Sequence, residues 1–431
     1  MKTYQLYLKN ISSLLCCKEE KGAPKSGDAL LEVNEIKDGA VLVSDDKIAM
    51  VGASEEIEKY LNENAKEIKI EKMLNLKGKT VMPGFVDPHT HIVFSGSRET
   101  EFAMRVAGKT YLEILNAGGG ILNTLKNVRT TSEENLYSES LARVNKAFMH
   151  GTTSMEIKSG YGLDFDSEIK TLKVISKLAE KSPCTVVSTY MGAHAVPPEY
   201  KERREEYIKL IIEKAIPFIA KNKLAKYNDV FVEAGVFSAA EGREILNAGK
   251  SAGLTPKVHA DEITSCGGAE LAAETGAVSA DHLLMASDKG LKMMKEKGVV
   301  AVTLPGTLYS LLSKSFLDFE RLRKIGVPLA LATDANPGSN MCLNMQTAIN
   351  QAVCLMKTPP AAAINMATIN AAFAIGLASE RGSIECGKYA DMIVVEGGSY
   401  NYTAYCYGAN LVEYVVKNGV LYKISANIET L

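Results

Sequence analysis

Two histidines that lie one residue apart near the start of the chain could bind a single metal ion. The apolar segment 82–87 leads into His89 and His91. Side chains of an extended strand alternate between its two faces, so both imidazoles are expected on the same side. Imidazole nitrogen is a common ligand of Zn²⁺ and similar ions. Because the 431-residue chain has only six histidines, this pair indicates a metal-dependent hydrolase.

Further residues of the same chemical kind occur along the chain. Three imidazole nitrogens and one carboxylate oxygen would come from His89, His91, His259 and Asp334. This donor set suits one divalent metal ion, either Zn²⁺ or Fe²⁺, and does not choose between them. Taken singly, a histidine at a strand end is more often part of the hydrogen-bonded scaffold than a ligand. The combination of all four residues favours a metal site.

The elements that must position these residues are short apolar runs, which alternate with longer helical patterns. Such alternation is typical of repeated βα units and a parallel sheet. Eight strands of this kind close a (β/α)₈ barrel, in which active-site residues follow the carboxyl ends of the strands. The predicted strands are 84–91, 153–158, 185–192, 229–236, 256–260, 278–282, 299–304 and 328–334. The polar residues at or just beyond their ends are His91, Lys158, His194, Glu233, His259, His282 and Asp334.

Both ends of the chain have a sequence pattern that differs from that of the middle. Short β-branched runs with glycine and aspartate turns occupy 28–82, and similar runs return at 387–395 and 411–422, after a helical stretch at 360–379. We therefore predict an α/β protein with a (β/α)₈ TIM-type barrel at 83–379. A small β-sandwich domain is predicted from 1–82 together with 380–431. His150 precedes the second barrel strand, at the opposite end from the predicted site, and is interpreted as structural.

Composition excludes several other classes of function. A formal net charge of −2 gives no electrostatic reason to expect a nucleic acid or a membrane surface as partner. Eight cysteines without a CxxC pair, and a start without a signal-peptide core, favour a cytoplasmic protein. The triple glycine 118–120 is not followed by the lysine and serine of a phosphate-binding loop. It suits a loop that passes close to a ligand or bends as a lid.

The order of the motifs resembles the amidohydrolase superfamily. The HxH pair, a strand-five histidine (His259), a strand-six histidine (His282) and a strand-eight aspartate (Asp334) carry the resemblance. Further similar segments cover most of the chain, namely 83–102, 111–121, 158–164, 191–197, 258–262, 279–283, 333–340, 389–396 and 410–422. The resemblance implies hydrolysis of 4-imidazolone-5-propanoate to N-formimidoyl-L-glutamate, the third step of histidine degradation. This reaction opens a five-membered cyclic amide at its carbonyl C–N bond.

The resemblance also implies roles for single residues around a metal-activated water. Asp334 would accept a proton from the water, and His282 would hydrogen-bond the carbonyl or the water. Glu262 would hold a ring N–H and pass a proton to the leaving nitrogen. Without the resemblance, Glu262 would be interpreted as a surface carboxylate. Glu233 occupies the position at which binuclear members carry a bridging carboxylate; we expect one metal, with Glu233 as a partner of its ligands.

The propanoate tail of the substrate requires a cation, and the resemblance assigns it to Arg98. A guanidinium binds a carboxylate through two parallel hydrogen bonds. From the residues alone, an ordinary ion pair of Arg98 with Glu99 or Glu101 is the simpler interpretation. The other substrate or product contacts implied by the resemblance are Tyr111, Tyr161, His194, Asn336, Gly338 and Ser339.

Two rival hypotheses remain at this point. A deaminase of the same superfamily would share the metal ligands, Glu262 and His282, and would differ in what binds the substrate tail. A non-catalytic scaffold relative is disfavoured because such proteins usually lose ligands, and all of them are present here. The expected partner is a small-molecule substrate, and a homodimer is possible because related barrel enzymes are often dimers.

Overall fold

The computed structural model of the protein describes residues 2–19, 21–110, 113–114, 118–424 and 428–430. Its strands belong to two sheets, one from the middle of the chain and one from both ends. The strands are β1 (Lys2–Leu15), β2 (Glu35–Ser44), β3 (Lys47–Ala53), β4 (Ile68–Asn75), β5 (Thr80–Pro83), β6 (Phe85–Asp87), β7 (Thr152–Lys158), β8 (Thr185–Ala193), β9 (Tyr227–Val232), β10 (Thr255–Ala260), β11 (Ser279–His282), β12 (Val300–Thr303), β13 (Leu329–Leu331), β14 (Met392–Val395), β15 (Val412–Lys417), β16 (Val420–Ile424) and β17 (Ile428–Thr430).

The middle of the chain forms the predicted barrel. Within the described residues, β6 to β13 make an eight-stranded sheet in chain order, and every neighbouring pair is parallel. All eight predicted strands are confirmed, although several end earlier than expected. The first strand ends at Asp87 rather than His91 because Pro88 has no N–H to give to the ladder. His89 and His91 therefore lie just beyond the strand.

The barrel closes through contacts between the segments that follow its first and last strands. His91 N–H donates to Ala335 O at 2.9 Å, and Asp334 N–H donates to His89 O at 3.1 Å. Next to these contacts, Thr333 N–H donates to Asp87 Oδ1, at the end of β6, at 3.1 Å. The seam of the barrel thus brings the backbone of His89, His91 and Asp334 together at the carboxyl ends of the strands, where the active site was predicted.

The two ends of the chain share one mixed sheet, which confirms the predicted β-domain. Strand β1 is antiparallel to β2, and runs parallel to β4 along its first half and to β5 near its end. Strand β14 pairs with β5 and continues the sheet through β15 to β17. An apolar cluster joins side chains of both ends, including Leu8, Val41, Met392 and Val416. The exact domain limits, 1–82 plus 380–431 and 83–379, remain predictions.

The helices lie mainly between the barrel strands. The α-helices are Ser54–Glu63, Glu99–Val106, Ile121–Thr130, Glu133–Met149, Phe165–Lys181, Arg204–Lys209, Ile216–Lys221, Ala239–Ser251, Gly268–Thr275, Asp288–Lys297, Pro305–Ser310, Phe319–Ile325, Met345–Leu355, Pro360–Met366, Ile369–Ala374 and Tyr400–Tyr405. A π-helical turn covers Leu210–Ala215, and 3₁₀ turns cover Gly27–Leu31 and Pro198–Tyr200. The helical stretch predicted at 360–379 is two short helices. In the described part of the chain, we find no helix with the length and apolar character needed to cross a membrane.

Candidate metal centre and active site

Three histidine side chains meet just beyond the carboxyl ends of the barrel strands. His89 Nε2 lies 3.2 Å from His91 Nε2, and His91 Nε2 lies 3.3 Å from His259 Nε2. All three side chains are almost completely buried. Their ligand atoms are close enough to hold one metal ion. The structure therefore brings together three of the four predicted ligands from β10 and the segment after β6.

The protonation of these imidazoles fits a bound cation. His89 Nδ1 lies 2.6 Å from Asp281 Oδ2, and this hydrogen bond places the ring proton on Nδ1. The lone pair of Nε2 then faces the other two rings. Burial lowers the pKa of His89, His91 and His259 well below the usual value, so the rings are neutral. Nitrogen lone pairs about 3 Å apart repel one another unless a cation or proton lies between them. The residues therefore fit a divalent metal.

The fourth predicted ligand, Asp334, is adjacent to the histidines. Its Oδ1 lies 3.4 Å from His89 Nε2 and 3.9 Å from His91 Nε2. Its Oδ2 accepts a hydrogen bond from Thr307 Oγ1 at 2.6 Å, which fixes the orientation of the carboxylate. Burial raises the pKa of Asp334 to about 6. A carboxylate with a pKa near neutrality can both accept and release a proton at physiological pH.

A buried ion-pair network supports the histidines from inside the barrel. Lys158 Nζ lies 2.7 Å from Asp229 Oδ2, 2.9 Å from Glu156 Oε2 and 3.4 Å from Asp281 Oδ2. Asp229 Oδ2 in turn lies 3.1 Å from His259 Nδ1, although the angle is outside the range of a hydrogen bond. Burial opposes the charge on Lys158, but Asp229, Glu156 and Asp281 together raise its pKa, so it remains protonated. One lysine thus links the two carboxylates beside His89 and His259.

Sequence reasoning did not assign Asp229 and Asp281 to the site. Each is a completely buried aspartate within a barrel strand. A carboxylate inside a predicted barrel strand is a usable signal, because a buried carboxylate requires a partner. Lys158 was noted only as a polar residue at a strand end.

His282 and Glu262 form a second pair of titratable groups next to the histidines. Glu262 Oε1 lies 3.7 Å from His282 Nδ1, and the Glu262 side chain is 17% exposed. The ring centroid of His282 is 5.2 Å from that of His259. His282 has a φ of +75° and Asp334 a φ of +52°. Non-glycine residues in this left-handed region carry strain that is often found at functional sites.

His194 and Tyr161 lie against the other side of His91. The His194 ring stacks on His91 with centroids 5.1 Å apart, and the Tyr161 ring centroid is 5.4 Å from that of His194. His194 Nδ1 lies 3.0 Å from Gly160 O, which fixes its proton on Nδ1 and leaves Nε2 as an acceptor. Burial lowers the pKa of His194 to about 4, so the ring is neutral at neutral pH.

The loop that carries Tyr161 is held by a buried carboxylate. Glu168 accepts hydrogen bonds from the backbone N–H groups of Gly160, Gly162 and Leu163 at 2.8 to 3.2 Å. Its side chain is buried. A carboxylate that satisfies three loop donors replaces the rigidity that a regular strand would supply. The position of Tyr161 therefore depends on Glu168.

Arg98 lines the same cavity as the histidines but already has a carboxylate partner. Its Nε donates to both carboxylate oxygens of Glu101 at 3.0 Å, and its Nη2 donates to Glu101 Oε2 at 2.8 Å. The ion pair of Arg98 with Glu101, which the residues alone indicated, is therefore present. Arg98 also lies in the cavity wall, where a residue that binds the substrate tail is expected. Arg98 Nη1 is not used by Glu101 and lies against Gly338, where a Cβ atom would overlap it.

The loop after β13 carries the three other predicted contacts. Asn336 Oδ1 accepts from the N–H groups of Gly338 and Ser339, both at 2.8 Å. Its Nδ2 donates to Asp334 O and to Ser339 Oγ, also at 2.8 Å. Asn336 therefore shapes this loop through its own amide. All three residues line the cavity.

The cavity has a volume of about 520 Å³ and joins the groups described so far. Its walls include His91, His194, His259, His282, Tyr161, Glu262, Asp334, Arg98 and Arg105. Gly120 of the triple glycine also lines it, with a φ of +85°. The interpretation of 118–120 as a loop close to the ligand agrees with this position. Tyr111, the remaining predicted contact, lies outside the described residues.

Glu233 does not belong to the cluster of His89, His91, His259 and Asp334. Its carboxylate accepts from the backbone N–H groups of Ile263 at 2.8 Å and of Thr264 at 3.1 Å, and from the Thr264 hydroxyl. Among the described residues, Glu233 is in no group with ligand atoms close enough to share an ion. The expectation that Glu233 is a partner of the metal ligands is not met. Glu233 orders the loop after β10, which carries Glu262, by accepting from the backbone N–H groups of that loop.

Comparisons with known proteins identify the family of the chain. The amidohydrolase family model matches residues 80–422. An imidazolonepropionase of Geobacillus sp. (strain WCH70) is 48% identical over 414 residues, which cover 96% of this chain and 97% of the relative. An imidazolonepropionase of Alkaliphilus oremlandii is 44% identical, with 98% of this chain and 99% of the relative covered.

Solved structures agree with the fold. An adenosine deaminase from Xanthomonas campestris with bound zinc has a TM-score of 0.72 at 17% identity and covers 99% of this chain and 95% of its own. The ochratoxinase of A. niger has a TM-score of 0.68 at 20% identity, with 98% and 96% covered. At these identities the likeness concerns the fold alone. On the sequence matches, the chain belongs to the amidohydrolase family and, within it, to the imidazolonepropionases.

Proposed function

We propose that this chain hydrolyses 4-imidazolone-5-propanoate to N-formimidoyl-L-glutamate. The observation that carries the proposal is the single cavity of about 520 Å³, which is lined both by the histidine cluster with Asp334 and by the guanidinium of Arg98. A substrate for this cavity needs a hydrolysable carbonyl and an anionic tail, and imidazolonepropanoate has both. The names of the curated relatives support the same reaction.

The proposed ligands of a divalent metal are His89, His91, His259 and Asp334. When bound, Zn²⁺ or Fe²⁺ supplies Lewis-acid chemistry, since it polarises a carbonyl and makes a water more acidic. Asp281 holds His89 with its Nε2 lone pair available. We propose a single metal because Glu233, the residue considered as a bridging ligand, binds the loop after β10 instead.

Asp334 is proposed to accept the proton of the attacking water. Thr307 donates to Oδ2 and fixes the orientation of the carboxylate, so that Oδ1 faces the histidines. His282 lies next to Glu262 and is proposed to hydrogen-bond the substrate carbonyl or the water.

The proton that Asp334 takes from the water is proposed to reach the leaving nitrogen through Glu262, which also holds a ring N–H. The opened ring nitrogen is a poor leaving group as an anion, so its protonation must accompany C–N bond cleavage. His194 offers an unprotonated Nε2 toward the cavity, which suits a ring N–H, and Tyr161 lies beside it. Arg98 is proposed to bind the propanoate tail, with Asn336, Gly338 and Ser339 forming the adjacent loop.

Deamination is the second candidate, favoured only by the likeness in fold to the zinc-containing adenosine deaminase. A deaminase and a cyclic amide hydrolase share the same nucleophile chemistry and differ in the group expelled. Two arginines in the cavity wall favour an anionic substrate over a neutral nucleoside.

The decisive experiment is turnover of freshly prepared 4-imidazolone-5-propanoate by purified protein loaded with Zn²⁺ or Fe²⁺. The expected product is N-formimidoyl-L-glutamate, identified by mass spectrometry above the spontaneous decay of the substrate. The Asp334→Asn variant, nearly identical in shape, is the matched control and is expected to be inactive. Metal-loaded protein that forms no product above background, or that releases ammonia instead, would contradict the proposal.

A further inference from the structure

Arg105 is a second arginine in the wall of the cavity. It lies in the last turn of the helix Glu99–Val106, and Arg98 immediately precedes this helix. Both side chains line the cavity that is also lined by His91 and His259. Two guanidinium groups thus border the same space.

The charge of Arg105 has no carboxylate partner in the described part of the chain. Its hydrogen bonds go to two backbone carbonyls, Nη1 to Ser310 O and Nη2 to Gly338 O, and both are long at 3.3 Å. Both oxygens of Glu101 already accept hydrogen bonds from Arg98, and Oε2 also accepts from Gly120 N–H. Burial and the nearby Arg98 lower the pKa of Arg105, although the charge of Glu101 partly opposes this shift.

The other basic residues of the cavity are already paired. Arg98 and Glu101 form a bidentate ion pair with no net charge. Lys109 pairs with Glu113 at 2.9 Å. An uncompensated, half-buried guanidinium beside paired neighbours is the arrangement expected where a ligand supplies the missing negative charge.

The two arginines are within reach of one carboxylate. Arg98 Nη1 packs against Gly338 where a side chain would otherwise be, and Arg105 Nη2 donates to the carbonyl of the same residue. Gly338 therefore lies between the two guanidinium groups. Glu101 takes the Nε–H and one N–H of Nη2, so both N–H groups of Arg98 Nη1 remain for a ligand.

We propose that Arg105 binds the carboxylate tail of the substrate together with Arg98 Nη1, and that Arg105 supplies the net positive charge that selects an anionic substrate. This inference rests on the proposed function. Under this proposal, Glu101 orients the guanidinium of Arg98. The substrate carboxylate replaces the long hydrogen bonds of Arg105 to the carbonyls of Ser310 and Gly338.

The test replaces Arg105 by methionine, which keeps an unbranched apolar stem and removes the charge. Loss of a charge-assisted hydrogen bond raises KM for 4-imidazolone-5-propanoate by roughly 10- to 100-fold, with kcat changed much less. The matched control is Lys109→Met, which removes a cavity cation that already has a partner and should leave KM nearly unchanged. Arg105→Lys should recover part of the loss. Circular dichroism and thermal unfolding show whether each variant is folded.

A pair of competitive inhibitors separates binding from a structural effect. Imidazole-4-propanoate has the tail carboxylate, whereas 4-propylimidazole has a neutral tail of similar length. Arg105→Met should weaken inhibition by the first and leave the second unchanged. Equal weakening of inhibition by both compounds overturns the role of Arg105. So does an unchanged KM for Arg105→Met, provided that the wild type turns the substrate over. A wild-type protein without turnover contradicts the proposed function instead.

Discussion

Replacement of Asp281 by asparagine tests how the metal centre is held. Asp281 Oδ2 lies 2.6 Å from His89 Nδ1 and fixes the tautomer in which Nε2 can bind a metal. An asparagine that turns its oxygen to His89 keeps this hydrogen bond but removes the negative charge. An asparagine that turns its NH₂ group to His89 moves the imidazole proton to Nε2 and blocks the ligand. Both orientations weaken metal binding.

The size of the effect follows from the contacts of Asp281. Mutation of an outer partner of a metal ligand typically lowers metal affinity by about 10- to 100-fold, or roughly 1.4 to 2.7 kcal/mol. Loss of an entire buried ion pair would cost about 3 to 5 kcal/mol of folding stability. Lys158 keeps Asp229 at 2.7 Å and Glu156 at 2.9 Å, however, so its charge stays compensated. We therefore expect the loss in metal affinity to be clearer than the loss in stability.

The assay is competition for Zn²⁺ with a fluorescent chelator at neutral pH. Asp288→Asn is the matched control, because Asp288 is a surface residue paired with Arg321 and its side chain is 62% exposed. Thermal unfolding of the metal-free proteins shows whether Asp281→Asn still folds. A folded Asp281→Asn variant that binds Zn²⁺ as tightly as the wild type would refute the role assigned to this hydrogen bond.

Three further predictions concern other carboxylates. Glu262→Gln should lower kcat by roughly 10²- to 10⁴-fold with metal content unchanged, since it removes the proposed proton donor; steady-state kinetics and metal analysis check this, and an unchanged kcat contradicts it. Glu168→Gln should raise KM, because it loosens the loop that carries Tyr161, and hydrogen exchange in that loop should increase in parallel. Hydrogen bonding from Arg204 lowers the pKa of Glu241 to about 2. The stability that Glu241 contributes is therefore present above its unfolded pKa and is lost as pH falls toward 2, so Glu241→Gln should destabilise the protein more at pH values near neutrality than in acid, as measured by urea unfolding.

Much of the barrel could be predicted because strand period and strand-end chemistry are local signals. The barrel strands are short buried segments between helical patterns, and His259 and His282 lie within the last residues of their strands. The predicted end of the first strand was wrong because the extended backbone continues past Pro88, whereas the regular ladder of hydrogen bonds with the neighbouring strand does not. The closing contact between the segments of His91 and Ala335 keeps both histidines aimed inward all the same.

The partners of the site residues could not be predicted from local patterns. Asp281 reaches His89 only through the curvature of the barrel, whereas Asp229 reaches His259 through the pairing register of two neighbouring strands. Glu233 likewise turned toward the loop after β10, because backbone donors in that loop attract a carboxylate more strongly than neutral imidazoles do. Whether a polar side chain serves a ligand or a loop depends on the competition among neighbours, and sequence spacing does not record it.

The position of His89, His91 and Asp334 at the closing seam of the barrel has a consequence for biogenesis. His89 and His91 follow the first barrel strand, whereas Asp334 follows the last, and their segments join through backbone hydrogen bonds. A ribosome-bound chain therefore exposes the first two imidazoles long before the carboxylate that completes the site is synthesised. Contacts between such distant parts of a chain form late in folding. With the proposed ligand set, full metal affinity requires closure of the barrel, because Asp334 joins the two histidines only then.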